Sequence, residues 1–311
     1  MKRKIIRIFS IVFALLLLLG TVTMYFVSAS IYRSTFDYRC TTGALDAHDM
    51  ANYPAMDRSR HTFPTLQGHT LVGYLYQSSD GAAPKALVVF AHGLGAGGQT
   101  GYLDIFDVLV RSGYCVFAYD ATGNDESEGE AIGGLPQGFI DMDYAADYAQ
   151  ALPETQGLPL ILMGYSWGGL SAANTLNTHP EAAAVVALAG WNRSLNLIEY
   201  EGRAMVGDAV QFMLPFVTVY EFFTYGDYAF STAMKGFAAS DCGVMIVHGE
   251  RDITVPPAYG YDLYHETYGD DPRFTFLSYP TRGHEVLSRS DGKTDTELLA
   301  QIIAFCDQWV G

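Results

Sequence analysis

The sequence predicts an α/β protein built on a parallel sheet, carrying a helical insertion and preceded by a membrane-spanning helix. Three observations predict it. Uninterrupted apolar runs such as Ala86-Leu87-Val88-Val89-Phe90-Ala91 recur between amphipathic stretches, the pattern of strands covered on both faces. This alternation stops once, between Trp191 and Ser240, and then resumes. An uncharged run at residues 8–29 follows a basic tip of Lys2, Arg3, Lys4 and Arg7.

Taken in order, residues 8–29 are long enough to cross a hydrocarbon core about 30 Å thick as a helix. Basic residues on its amino side place that end in the cytoplasm and everything after it outside, as a single-pass cell-membrane protein with an extracytoplasmic domain. Secretion after cleavage at Val27-Ser28-Ala29 is the alternative. Residues 30–57 are aperiodic and are expected as a stalk, so the folded domain is assigned to 58–311. Strands are expected at 61–66, 70–77 and 86–91, then a helix at 102–112, where Leu103, Phe106, Leu109 and Val110 recur at three- and four-residue spacings. Strand 114–119, helix 139–152, strand 158–163, helix 168–177 and strand 183–189 continue a βαβα rhythm, which a parallel sheet with helices on both faces satisfies. The segment at about 191–240 is aromatic and methionine-rich, with Met213-Leu214-Pro215-Phe216 and Glu221-Phe222-Phe223, and is expected as a cap. Strand 244–248, helix 258–267, strand 274–279 and helix 294–310 complete the chain.

The composition suits one large core, with 49% apolar and 17% charged residues among 311. With 34 acidic against 18 basic residues, the chain would be repelled by phosphate backbones, which argues against a nucleic-acid partner. The four cysteines, at 40, 115, 242 and 306, form no C-x-x-C pair, so the common zinc and thioredoxin signatures are missing. Cys115 and Cys242 lie in apolar runs and are expected as buried small hydrophobes. A Cys40–Cys306 disulfide stays open.

Chemistry concentrates at Gly164-Tyr165-Ser166-Trp167-Gly168, a G-x-S-x-G between an apolar strand and a helical pattern. A serine there sits on a sharp strand-to-helix turn, exposed at the helix N-terminus, where negative charge is favoured. Ser166 is therefore the candidate nucleophile. It needs a base, and the base needs an acid that fixes its tautomer. The chain order serine, acid, histidine leaves His179, His248, His265 and His284. His284 follows the last strand in a loop and is taken as base. His248 ends a strand too early, His265 lies in a helical stretch, and His179 precedes the acids. Asp252, just past the strand at 244–248, is taken as the acid, on the strand edge where such sheets place their sites. Two backbone N–H groups would hold the oxyanion, one from Trp167 and one from Leu94 in His92-Gly93-Leu94-Gly95-Ala96-Gly97-Gly98. That loop lacks the Lys-Ser/Thr of a phosphate loop.

With His92-Gly93-Leu94-Gly95, Asp120-Ala121-Thr122-Gly123-Asn124-Asp125-Glu126-Ser127-Glu128-Gly129, the Ser166 elbow, His248–Pro256 and Gly283-His284, the chain from about residue 60 resembles the α/β-hydrolase superfamily, within it the serine aminopeptidase S33 and monoacylglycerol-lipase-like group. Asn124 and Asp125 stand where that group has His and Gly. The resemblance implies an eight-stranded, mostly parallel sheet with a cap between the sixth and seventh strands, and a strand order that separates Cys115 from Cys242. It also implies the triad and oxyanion roles given above, with no cofactor and no metal. The expected activity is acyl-ester cleavage of the carboxylesterase or lysophospholipase type, on a small acyl-ester or lipid-like substrate. Two alternatives remain. One is a peptidase acting on short peptides, whose acidic anchor for a free amine could be Asp125, Glu126 or Glu128; the other is a non-catalytic binding module on the same fold.

Overall fold

Residues 2–42, 50–95, 98–289 and 291–311 are described by a computed structural model; Met1, part of the expected stalk (43–49), Ala96 and Gly97 of the glycine-rich loop, and Ser290 lie outside the described residues. Strands β1 (Met56–Pro64) and β2 (Thr70–Ser78) pair antiparallel from Met56 opposite Ser78 to Pro64 opposite Thr70. Strands β3 (Ala86–Ala91), β4 (Tyr114–Asp120), β5 (Leu160–Tyr165), β6 (Ala184–Leu188), β7 (Gly243–Gly249) and β8 (Phe274–Tyr279) follow. The eight lie in the order β1-β2-β4-β3-β5-β6-β7-β8. β2 meets β4 antiparallel and all later pairs are parallel. Every residue of β3 to β7 is buried, which explains the unbroken apolar runs: a parallel sheet covered on both faces offers no wet side.

Helices α2 (Leu103–Arg111) and α9 (Thr296–Cys306) cover one face of the sheet, and α3 (Pro136–Gln150), α4 (Trp167–Thr175), α7 (Ala233–Ala239) and α8 (Tyr261–Tyr268) the other. On α2, Leu103, Phe106, Leu109 and Val110 all point inward, as their spacing dictates. Asp295 caps α9 by accepting from the Glu297 and Leu298 N–H groups. Between β6 and β7 rise α5 (Ser194–Val206) and α6 (Val210–Tyr225), which form the cap, before α7 returns the chain to the sheet.

The first helix, α1, runs unbroken over Lys2–Phe36, seven residues beyond the expected end of the span. The residues expected to begin the stalk are its last two turns. Tyr32 and Phe36 are buried there, and the Tyr32 hydroxyl donates to Glu221 Oε1 of α6 at 2.8 Å. After α1 the chain is pinned rather than free. Cys40 N donates to Gly123 O at 2.9 Å, Ile132 N donates to Tyr38 O at 3.0 Å, and the Arg39 guanidinium donates to the Gly129 and Ser127 carbonyls at 2.7 Å each. All four cysteines are free thiols, with Cys115, Cys242 and Cys306 buried.

Phe106 is fully buried, with ring centroids at 5.1 Å from both Tyr76 and Phe90, so Phe106→Ala should lower unfolding stability by about 3–5 kcal/mol. Denaturant titration of the two forms measures this. A loss under about 1 kcal/mol contradicts the packing described.

Candidate active site

Ser166 follows the last residue of β5 and precedes the first of α4, with φ 57° and ψ −116°. L-residues rarely hold such a backbone, at a cost of order 1–3 kcal/mol. The flanking glycines make it reachable. A β-carbon on Gly164 would lie 2.2 Å from the Gly168 carbonyl oxygen, and one on Gly168 would lie 1.9 Å from the Ala91 carbonyl oxygen. The turn is then held by two hydrogen bonds, Ser166 N to Leu188 O at 2.7 Å and Leu170 N to Ser166 O at 3.0 Å.

Asp252 and His284 come from the loops after β7 and β8. Those loops cross closely: a β-carbon on Gly249 would stand 2.1 Å from the Gly283 carbonyl oxygen. Arg251 N donates to Arg282 O at 2.9 Å. The Arg282 guanidinium braces the histidine loop from below, lying 3.8 Å from the Tyr279 ring centre, donating to Val286 O at 2.7 Å and pairing with Asp295. The Tyr165 hydroxyl donates to the His284 carbonyl at 3.2 Å.

These supports bring the three candidate residues into one line. His284 Nε2 is 2.7 Å from Ser166 Oγ, and His284 Nδ1 is 2.7 Å from Asp252 Oδ2. The carboxylate can only accept, so Nδ1 carries the proton and Nε2 is left to accept from the serine. Asp252 Oδ1 takes the Thr254 and Val255 N–H groups at 2.9 Å each. Burial works to raise the Asp252 pKa. Hydrogen bonds from His248, His284 and the Val255 backbone outweigh it and hold the carboxyl well below the usual range.

His248, set aside as a base in the sequence, has a different place. Its Nε2 lies 2.9 Å from Val255 O and 3.2 Å from Asp252 Oδ2. Both neighbours are acceptors, so Nε2 bears the proton and donates to the same carboxylate oxygen that His284 contacts. His248 Nδ1 is then buried with no partner among the described residues.

The expected oxyanion donors flank the serine. Trp167 opens α4, where the first N–H groups have no intrahelical acceptor. Gly93 passes so near the serine that a β-carbon on it would lie 3.5 Å from Ser166 Cβ. The Gly93–Leu94 peptide is also oriented. Buried His92 accepts from Ala121 N–H on Nε2 at 3.0 Å, so its Nδ1, 2.9 Å from the Gly93 carbonyl, is the protonated nitrogen and donates to it. Burial depresses the His92 pKa and favours this neutral form. In a trans peptide the N–H opposes the C=O, so tying back the Gly93 carbonyl turns Leu94 N–H the other way. The Tyr102 hydroxyl accepts from Gly93 N at 3.0 Å and fixes the other side. Sequence reasoning named the loop and Asp252 but not their supports, His92 and Tyr102 for the loop and His248 for the carboxylate; a histidine directly before the glycine run was the one available signal. Among the described residues, no cluster of His, Cys, Asp and Glu could hold a metal.

A carboxyl held below its unfolded pKa of about 3.9 contributes stability that is complete above that value and is lost as pH falls through the folded value. The stability deficit of Asp252→Asn against the unaltered chain should therefore shrink as the pH is lowered from about 6 to about 3. Thermal unfolding of both forms measures it; a deficit that is constant or grows in acid contradicts the assignment.

The sequence pattern of the serine aminopeptidase S33 family matches residues 82–204, which include the Gly93 loop and the Ser166 elbow. Over 98 residues the chain is 33% identical to human monoglyceride lipase, a stretch that spans 31% of this chain and 32% of that protein. Among solved structures, an esterase of Pyrococcus furiosus superposes with a TM-score of 0.64 at 16% identity, covering 84% of this chain and 96% of its own. Acetyl xylan esterase 1 from Thermoanaerobacterium superposes with a TM-score of 0.58 at 14% identity, covering 88% and 96%. Sheet order, cap position and the structural likenesses give the chain the α/β-hydrolase fold, and over residues 82–204 it carries the sequence pattern of the serine aminopeptidase S33 family.

Proposed function

We propose that the protein is a membrane-anchored serine hydrolase that cleaves carboxylic esters. The carrying observation is the unbroken line from Ser166 Oγ through His284 to Asp252, with 2.7 Å at each step. Ser166 Oγ attacks the ester carbonyl carbon while His284 Nε2 takes its proton, and Asp252 stabilises the imidazolium. The carbonyl oxygen becomes an oxyanion that accepts from the Leu94 and Trp167 N–H groups. Collapse breaks the bond to the alcohol oxygen, which leaves with the proton from His284. Water, deprotonated by His284, then attacks the acyl-enzyme, and the carboxylic acid departs as Ser166 recovers its proton.

Ester substrates are favoured over peptides by the state of the acidic loop. A free amino terminus would need an available carboxylate, yet each candidate is engaged. Asp125 accepts from Thr42 N and Oγ1 at 2.8 and 2.9 Å and from Gly98 N at 2.6 Å. Glu126 accepts from the Tyr74 hydroxyl at 2.5 Å, and Glu128 from Thr70 N at 2.7 Å. Anchoring is favoured over secretion because Ser28 and Ala29 are buried against the domain, and cleavage after Ala29 would remove that packing. Basic residues ahead of the span support an extracytoplasmic domain by the positive-inside rule.

Comparing kcat/KM for C2 to C12 acyl esters with alanyl and prolyl amides should show faster ester turnover, rising with chain length by roughly tenfold per two carbons until the site is full. Faster amide turnover moves the protein to the peptidase class. Asp252→Asn should lower ester kcat by on the order of 10⁴, the size of the corresponding serine-protease effect, with the Ser166 turn intact. A loss below about tenfold would assign the acid elsewhere.

A further inference from the structure

The cap carries a second apolar surface, away from Ser166, where it meets α1. Buried positions on α1 recur at Ser28, Tyr32 and Phe36, with Met24 half-buried one turn earlier, so a single stripe of the helix lies on the cap. At the lower end Met24 shares an apolar groove with Val206, Ala209, Phe212, Met213 and Phe216. At the upper end the Tyr32 ring is 5.4 Å from Tyr220 and its hydroxyl reaches Glu221. Climbing α1 from Met24 to Tyr32 thus climbs α6 from Phe212–Phe216 to Tyr220–Glu221. The two helices run in the same direction, and the amino end of α6 points back along α1 toward the membrane.

Depth follows from counting. A span needs about 20 helical residues, and charge-free sequence on α1 is bounded by Arg7 and Arg33. Whichever window of that length is taken between them, Met24 falls inside it, roughly 5–12 Å below the boundary nearer the domain at about 1.5 Å per residue. The cap residues beside Met24 share that depth. Their outward faces suit it: Met205 is 78% exposed, Phe212 74% and Val206 49%. The sole charged residue of α6 is Glu221, which is buried. Asp208, in the turn between α5 and α6, is 90% exposed and pairs with the partly exposed Arg203. Glu201 lines the groove farther up with Ile31, Tyr32 and Thr35, toward the Arg33 end.

We propose that the tip of the cap, comprising the end of α5, the turn after it and the first turns of α6, is immersed in the bilayer leaflet that borders the domain. The occupant of this exposed apolar face is lipid, because the face continues the surface of the helix that spans the lipid, and immersions of this depth are what interfacial apolar helices achieve. The inference rests on reading α1 as a membrane anchor. It fixes the domain against the membrane at two points, the span and the cap, and so sets one orientation of the hydrolase toward the bilayer.

The test uses the full chain in phosphatidylcholine vesicles, with single added cysteines carrying a fluorophore at Phe212, at Leu17 in α1 and at exposed Gln156 in the loop before β5. Quenching by bilayer-soluble brominated lipids is then compared. The expected result is strong quenching at Phe212→Cys and Leu17→Cys, with little at Gln156→Cys. Quenching at Leu17→Cys but not at Phe212→Cys overturns the cap inference and leaves the anchor standing. No quenching at Leu17→Cys overturns both. A Phe212→Cys label shielded from lipid and from aqueous iodide alike would mean that a second copy of the chain covers the face, which also overturns the proposal.

Discussion

Among the described glycines, the tightest packing is the one on which the candidate site depends: Gly168 of α4 against the Ala91 carbonyl at the end of β3, where a β-carbon would stand 1.9 Å from the oxygen. That contact lets α4 start directly above β5, with Ser166 forced to φ 57° at the bend. The same contact sets the end of β3 beside the bend, so the loop carrying Gly93 and Leu94 has to pass over the serine. The strained serine turn, the helix N-terminus beside it and the Gly93–Leu94 loop passing over it are therefore consequences of one packing constraint on adjacent parallel strands.

His284 and Asp252 are placed by a different device. Nothing near Ser166 in sequence determines where His284 lies; its loop is stitched to the Asp252 loop by Arg251 N to Arg282 O and by the crossing of Gly249 with Gly283. Histidines then act in three capacities. His284 spans acid and serine, His248 donates to the same acid oxygen, and His92 aims the Gly93–Leu94 peptide. Each has a tautomer fixed by its neighbours, which removes a choice that would otherwise have to be made at every turnover.

Much of this was legible in the sequence because the strands announce themselves. Five parallel strands buried on both faces read as apolar runs, and the candidate site residues sit just past the ends of β3, β5, β7 and β8. The supports of those residues were not legible. His248, His92 and Tyr102 act on groups whose positions exist only once the sheet is ordered, and a histidine ending a strand carries no mark of its partner. The stretch after residue 29 read as a stalk for a similar reason. Its buried stripe, Tyr32 and Phe36, includes a contact to a helix some 190 residues later, and the exposed Arg33, Ser34 and Thr35 between them hide the period.

The proposal unites a strained serine, the His284–Asp252 pair and a long apolar helix, read as a membrane anchor, that packs on the cap. Its central claim is that Ser166 is the nucleophile and that neutral His284 activates it. The direct measurement is to react the full chain with a fluorophosphonate at a series of pH values and map the modified peptide. The account predicts an adduct on Ser166 alone, formed at a rate that rises with pH through the histidine range near about 6.5 and that collapses in His284→Ala. An adduct on another serine, or labelling of Ser166 at an unchanged rate without His284, would contradict it.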